Sequence, residues 1–290
     1  MAAKWSKTGE NSLNNKKSRV GQAVITAILI IGALVMFFPF YWAAIGSLKT
    51  KSEIWQYPPT LFPETAMWSN YAEAMQSEIP LYIFNSIFVA GLITLYCLVS
   101  SAMLAYVLVR YNFHLKKALF TVLMLMQMIP GAITHIPAYV ILADMGLLDT
   151  HTGLIISCCA SVFSIFLLRQ YFLQVDKGML EAAQMDGAGD LRILWYIMIP
   201  VSKPAVIMIV LNLFISNYNS YIWPSLITRS SEKFLVSQGL RDFFINATLF
   251  GMKLPQMMAA NVIVIIPMLL LFAFTQKWFE RGIADTGSTG

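Results

Sequence analysis

Six stretches of this chain run without a single Asp, Glu, Lys or Arg: 20–48, 79–109, 118–143, 150–168, 204–228 and 254–276. Each is close to, or longer than, the roughly 20 apolar residues that a helix needs to cross the hydrocarbon of a bilayer. An unpaired backbone group costs several kcal/mol in that medium, so each stretch is predicted to be a helix, which pairs its own backbone. The pattern predicts an all-α, polytopic membrane protein with six transmembrane helices. The first window is much longer than the roughly 7 to 15 apolar residues of a secretory signal and is read as a retained helix.

The polar segments between the windows orient the helices. With the amino terminus inside, the inner segments hold fourteen of the 20 Lys and Arg residues and the outer segments six. Basic residues accumulate on the cytoplasmic side, so both termini are expected there, although the outer segment 229–253 carries four basic residues against the trend. Residues 1–19 are polar, basic and too poor in apolar side chains to bury a core. They are expected to form a flexible cytoplasmic tail, leaving 20–290 as a single membrane domain. Composition agrees, with 58% hydrophobic and 12% charged residues, against about 25% charged in soluble domains. The net charge of +5 follows from membrane orientation and requires no nucleic acid.

Departures from a plain apolar helix mark candidate chemistry. The third window contains Pro130-Gly131 and Pro137, which predict an interruption halfway across the membrane. Polar and aromatic side chains inside a span face the bundle interior or water. On that ground Gln127 and His135 in the third helix, and Asn217, Asn219, Tyr221 and Trp223 in the fifth, are candidates for a solute path. Amides suit hydroxyl groups and aromatic faces suit the apolar faces of sugars. The same groups also serve to bind helices to one another. In the first outer loop Trp55, Tyr57, Trp68 and Tyr71 are types that settle at the membrane interface. Cys97, Cys158 and Cys159 fall inside predicted helices and are read as small packing residues.

The longest inner segment, 169–203, balances four basic residues with four acidic ones. A loop serving only the positive-inside bias has no need of that balance, so a structured surface is expected. Residues 180–185 are good helix formers, and Asp186-Gly187 is a turn signal. Asp190 is placed to cap a second helix in which Leu191, Leu194, Trp195 and Met198 share a face and which Pro200 ends. On these residues alone the element reads first as an amphipathic segment lying on its own bundle.

Glu181-Ala182-Ala183, then Asp186-Gly187-Ala188, then Pro200 and Pro204 resemble the EAA signature of binding-protein-dependent ABC transporter permeases. The segment lies where that family carries it, between the fourth and fifth of six helices. Ser47-Leu48-Lys49, Asn85-Ser86, Gly146-Leu147 and Asn219 with Pro224 are similar to the maltose-type carbohydrate branch. One departure is Asp176, where the family commonly has Pro. The resemblance implies a coupling loop at 174–203, in which Glu181, Ala182, Ala183, Asp186, Gly187, Ala188 and Pro200 meet a separate ATPase. It also implies a homologous second permease subunit, two ATPase subunits and an extracytoplasmic solute-binding protein. The setting would be the inner membrane of a prokaryote and the cargo a sugar or oligosaccharide.

No cofactor is expected in this chain, since ATP and Mg would be bound by the partner ATPase. No G-x-x-x-x-G-K-[ST] phosphate loop occurs, and His114, His135 and His151 are too scattered for a metal site. An ion-gradient-driven secondary transporter is the competing reading. Such proteins place ionisable groups or broken helices near the midplane, and the six windows hold no Asp, Glu, Lys or Arg. A membrane enzyme would need a nucleophile, paired carboxylates or metal ligands at one face, and no such cluster stands out.

Overall fold

The computed structural model describes the backbone of residues 3–249 and 253–287 and the side chains of 21–245 and 253–276. Its described elements are all helical. In order they are α1 (Ala3–Ser47), α2 (Ser69–Gln76), α3 (Ile79–Arg110), α4 (Lys116–Met126), α5 (Gly131–Asp144), α6 (His151–Ser157) and α7 (Val162–Phe172). There follow α8 (Lys177–Met185), α9 (Asp190–Ile193), α10 (Ile199–Val201), α11 (Lys203–Tyr218), α12 (Ile222–Ile227), α13 (Val236–Leu249) and α14 (Leu254–Gly287). The backbone of 3–19, expected as a flexible tail, is helical and continuous with the first window. That stretch holds one Gly and no Pro to interrupt it.

Three helices, in Gly21–Ser47, Ile79–Arg110 and Leu254–Gln276, are long and apolar enough to cross a membrane unbroken. The other predicted spans are bent. Helices α4 and α5 meet at 101°, where Pro130 lacks an N–H and Gly131 opens α5. Pro137 lies inside α5 without breaking it. Helices α6 and α7 meet at 48° across a break that no proline announces. The fifth window divides too, into α11 and α12, so Asn219 and Tyr221 occupy a turn rather than a helix interior. A further 86° bend separates 190–201 from α11.

The chain forms two compact units, one of residues 1–71 with 253–262, the other of 72–252 with 263–290. In the first, polar side chains shape the loop after α1. Lys49 is buried, donating to the Thr60 carbonyl at 2.5 Å with its ammonium 5.1 Å from the Trp42 ring centre. Buried Glu53 accepts from the Thr60 hydroxyl and the Glu64 N–H, and the Asn70 amide donates to the carbonyls of Ser47 and Lys49. These bonds fix a proline-rich loop that lacks regular backbone pairing. Trp55, Tyr57 and Trp68 stay exposed on it, whereas the Tyr71 hydroxyl pairs with that of Ser47.

In the second unit the core gathers on α3, whose Ala102 and Ala105 share one cluster with Leu168 and Phe172 of α7 and Ile209 of α11. Small residues at helix contacts are how membrane bundles pack. The break between α6 and α7 leaves carbonyls without helical partners, and α3 supplies donors: Cys97 Sγ to the Cys158 carbonyl at 2.9 Å, and Ser100 Oγ to that of Cys159 at 3.1 Å. Cys158 and Cys159 thus lie in the break and not inside a helix, and all three cysteines are free.

Candidate coupling site and solute path

Helix α8 starts at Asp176, whose carboxylate accepts the backbone N–H groups of Gly178 at 2.6 Å and Met179 at 3.2 Å. That cap satisfies donors left unpaired at a helix start. Asp176 thereby sets the start of the helix at the place where proline is the common choice in the resembling family. The helix ends as its sequence predicts. The Gly187 N–H donates to the Gln184 carbonyl, the Ala188 N–H to that of Ala183, and Gly187 has φ +77°. This pair of bonds around a left-handed residue is the Schellman ending. The same geometry closes α5 at Gly146, where φ is +66° and the Leu147 N–H reaches back to the Leu142 carbonyl.

The turn sorts the signature residues into two sets. Ala183 and Ala188 are half-buried against the core beside Leu180. Glu181, Ala182, Asp186 and Met185, the last 88% accessible, face outward. The close approach expected at both alanines therefore divides: Ala182 is open to a partner and Ala183 faces its own bundle.

The second arm differs from the sequence reading in three ways. Asp190 does not cap it. Gly189 is the N-cap residue, and the Asp190 carboxylate instead accepts the hydroxyls of Tyr106 at 2.7 Å and Tyr111 at 2.6 Å. Those two bonds, Tyr106 first, hold the Asp190 pKa below the usual carboxylate range, and the bond to Asp190 pushes the pKa of the Tyr111 hydroxyl up. Pro200 does not end the arm, because a π turn over Leu194–Met198 precedes it and the Ile199 N–H reaches the Leu194 carbonyl. The wider turn accommodates the missing proline donor, and the helix continues to Val201. The wider turn also rotates the buried face: Ile193, Leu194 and Met198 are buried, while Leu191 and Trp195 are exposed.

Of the candidate path residues, His135 and Trp223 come together, stacked with ring centres 5.0 Å apart. Trp223 is buried and its Nε1 donates to Ser157 Oγ at 2.8 Å. A cleft of about 220 Å³ opens beside them, lined by His135, Ile136, Tyr139 and Leu226. The others do not converge there. Gln127 is exposed at the end of α4, the Asn217 amide donates to the Leu213 carbonyl of its own helix, and Asn219 and Tyr221 are exposed in the turn after α11. Tyr139 is the residue missed. It lies four positions after His135 on the same helix face, and its hydroxyl accepts from Arg229 Nη2 at 3.2 Å.

Near this cleft, Asp149 clamps two loops. Its carboxylate accepts the N–H groups of Arg229 and Ser230, the Ser230 hydroxyl at 2.5 Å and Lys233 Nζ at 3.3 Å. The Ser230 hydroxyl leads the causes that hold this carboxyl far below the usual range. A depressed value means that the clamp contributes above the ordinary Asp pKa of about 3.9 and is lost as pH falls through the lower folded value. Asp149→Ala is expected to cost roughly 1 to 3 kcal/mol, the lower end for exposed bonds. Limited proteolysis within 229–234 is the readout, with faster cleavage of the variant at pH 7.

Among the described residues, an all-α architecture with six apolar spans, three of them bent, and a structured polar loop between the fourth and fifth is that of a multi-pass membrane protein. Residues 97–285 match the family described as binding-protein-dependent transport system inner membrane component. The chain belongs to that family and is a permease subunit of an ABC importer of the inner membrane. It is similar to the sn-glycerol-3-phosphate transport system permease protein UgpE of Yersinia enterocolitica, 32% identical over 89% of this chain and 94% of the relative. The UgpE of Rhizobium meliloti is 30% identical over 93% of this chain and 99% of the relative. A solved structure of a bacterial ABC transporter for import of the acidic polysaccharide alginate matches with TM-score 0.79 and 27% identity, covering 90% of this chain and 97% of the other. A second alginate transporter structure, complexed with a pentasaccharide-bound periplasmic protein, shares the fold at TM-score 0.63 and 16% identity over 92% of this chain and 96% of the other.

Proposed function

We propose that residues 20–290 act as one permease domain forming half of a translocation pore. A homologous permease supplies the other half, two ATPase subunits dock from the cytoplasm, and an extracytoplasmic binding protein delivers the solute. ATP and Mg are bound by the ATPase. The observation that carries the reading is the outward face of α8. The Schellman turn at Gly187 presents Glu181, Ala182, Met185 and Asp186 together while Ala183 and Ala188 pack inward. A short helix held by its far side and offering the Glu181 carboxylate beside the small Ala182 suits insertion into a groove on a partner.

The solute in this reading is a sugar, polyol or oligosaccharide. Relatives named for sn-glycerol-3-phosphate and alginate support hydroxyl-rich cargo that also carries negative charge. The cleft offers matching groups, a stacked aromatic pair and a tyrosine hydroxyl bonded to Arg229, whose guanidinium has no carboxylate partner among the described residues.

Two measurements test the proposal. Recovery of the ATPase in a pull-down is expected to fall at least tenfold for Glu181→Ala combined with Ala182→Trp, as loss of a charged contact and a steric block predict. Wild-type recovery would overturn the coupling role. Both termini and α8 are expected in the cytoplasm, so a cysteine at position 184 in place of Gln184 should resist impermeant label in intact cells and react after permeabilisation. Labelling from outside would overturn the orientation.

A further inference from the structure

Helix α3 holds polar partners at both ends. Near its start, the Asn85 amide donates to the carbonyls of Glu232 at 2.9 Å and Phe234 at 3.1 Å, and Ser86 Oγ accepts the Val236 N–H at 2.7 Å. Asn85 and Ser86 are buried, so these bonds compete with no water. Near its end, the hydroxyls of buried Tyr106 and of Tyr111 both donate to the Asp190 carboxylate, the first residue of the coupling loop's second arm. The two tyrosine rings meet edge to face with centres 6.5 Å apart, which fixes the pair of donors.

Between these ends the helix is a single piece. It has 32 residues, a length of about 48 Å at 1.5 Å per residue. The next three windows, 118–143, 150–168 and 204–228, are broken, so α3 is the one unbroken span between α1 and α14 among the described residues. A continuous helix moves as a body, whereas a helix interrupted by a turn bends there. On the proposed topology, one end of α3 grips the outer loop 231–236 and the other grips the coupling loop three residues past its Gly187 turn.

We infer that α3 is the rod that transmits the state of the outer loop to the coupling loop, with Asn85 and Ser86 positioning one end and the Tyr106–Asp190–Tyr111 latch the other. The first arm of the coupling loop, α8, is left to meet the ATPase, and Gly187 is the joint between the free arm and the latched one. This inference rests on the coupling role proposed above. It assigns a function to Asn85-Ser86, a sequence feature that neither the coupling face nor the cleft uses.

The experiment uses the full complex in proteoliposomes with its binding protein. Tyr106→Phe/Tyr111→Phe removes both hydroxyls and keeps both rings, and Asn85→Ala/Ser86→Ala releases the outer end. For each, ATPase recovery and basal ATP hydrolysis are expected to stay at wild-type level. Stimulation by solute-loaded binding protein is expected to fall about tenfold, the scale of losing a hydrogen bond to a charged group. Combining both pairs is expected to cost no more than the worse pair alone, because either break disconnects one rod. Three results would overturn the inference: wild-type stimulation in the tyrosine variant, losses that multiply in the combined variant, or loss of ATPase binding in step with stimulation. The last would make the latch a part of the docking surface. Failure of the coupling role itself is read separately, from wild-type ATPase recovery in the Glu181→Ala/Ala182→Trp variant.

Discussion

Gly187→Val is expected to abolish most coupled transport while the protein still inserts and assembles in the membrane. Gly187 has φ +77°, and a Cβ built there meets nothing within 4 Å. The penalty is therefore one of backbone conformation and not of crowding. A non-glycine residue held in that region costs about 1 to 3 kcal/mol, and a β-branched one lies at the upper end. Taken as a shift in the population of the native turn, that is a factor of about 5 to 150. The Schellman bonds of Gly187 and Ala188 would break with it, drawing Leu180 and Ala183 of α8 away from their place on the core. Asn tolerates left-handed φ better than Val, so Gly187→Asn should retain much more activity. The measurement is binding-protein-stimulated ATP hydrolysis and uptake by the reconstituted complex. Equal activity in the Val and Asn variants would remove the turn from the coupling mechanism.

The six windows were legible because absence of charge over 19 or more residues has one physical explanation in a chain of this composition. The breaks were legible only where a residue announces them. Pro130-Gly131 predicts the sharp bend, but the breaks after Ser157 and Tyr218 carry no proline. Tertiary donors sustain them, with Cys97 and Ser100 reaching the carbonyls of Cys158 and Cys159, and Ser237 reaching that of Asn219. Partners 61, 59 and 18 residues away leave no local trace. Pro137 shows the converse, a proline inside a helix that continues.

Local reasoning succeeded for the Gly187 turn and failed for Asp190 for the same reason. The turn is closed by groups within five residues, so its sequence contains the whole cause. A carboxylate at a helix start ordinarily serves its own backbone, which makes Asp190 a cap by sequence. Here two tyrosine hydroxyls, 84 and 79 residues earlier in the chain, compete for it and win. Pro200 is a terminator by sequence, and the π turn that absorbs it is invisible to a period of 3.6 residues. Tyr139 had a usable signal, its i, i+4 spacing from His135, but an aromatic residue on an apolar helix reads first as packing.

Trp223→Ala is expected to impair assembly before it changes selectivity. The sequence offers this residue either for a solute path or for binding helices to one another. The structure places it at 8% exposure, stacked on His135 and bonded to Ser157. Truncating such a side chain costs about 3 to 5 kcal/mol, and it leaves the Ser157 hydroxyl without its donor. Trp223→Phe should recover much of the packing without the indole bond. The cleft needs a gentler probe, and Tyr139→Phe supplies one by keeping the wall and deleting the hydroxyl that Arg229 holds. If solute passes the cleft, transport rates at saturating loaded binding protein should change several-fold for charged polyols relative to neutral sugars, as one hydrogen bond of about 1 kcal/mol implies. Assembly and basal ATP hydrolysis should not move. An unchanged ratio of charged to neutral transport in Tyr139→Phe would leave the His135–Trp223 pair as interhelical packing and put the solute path elsewhere in the pore.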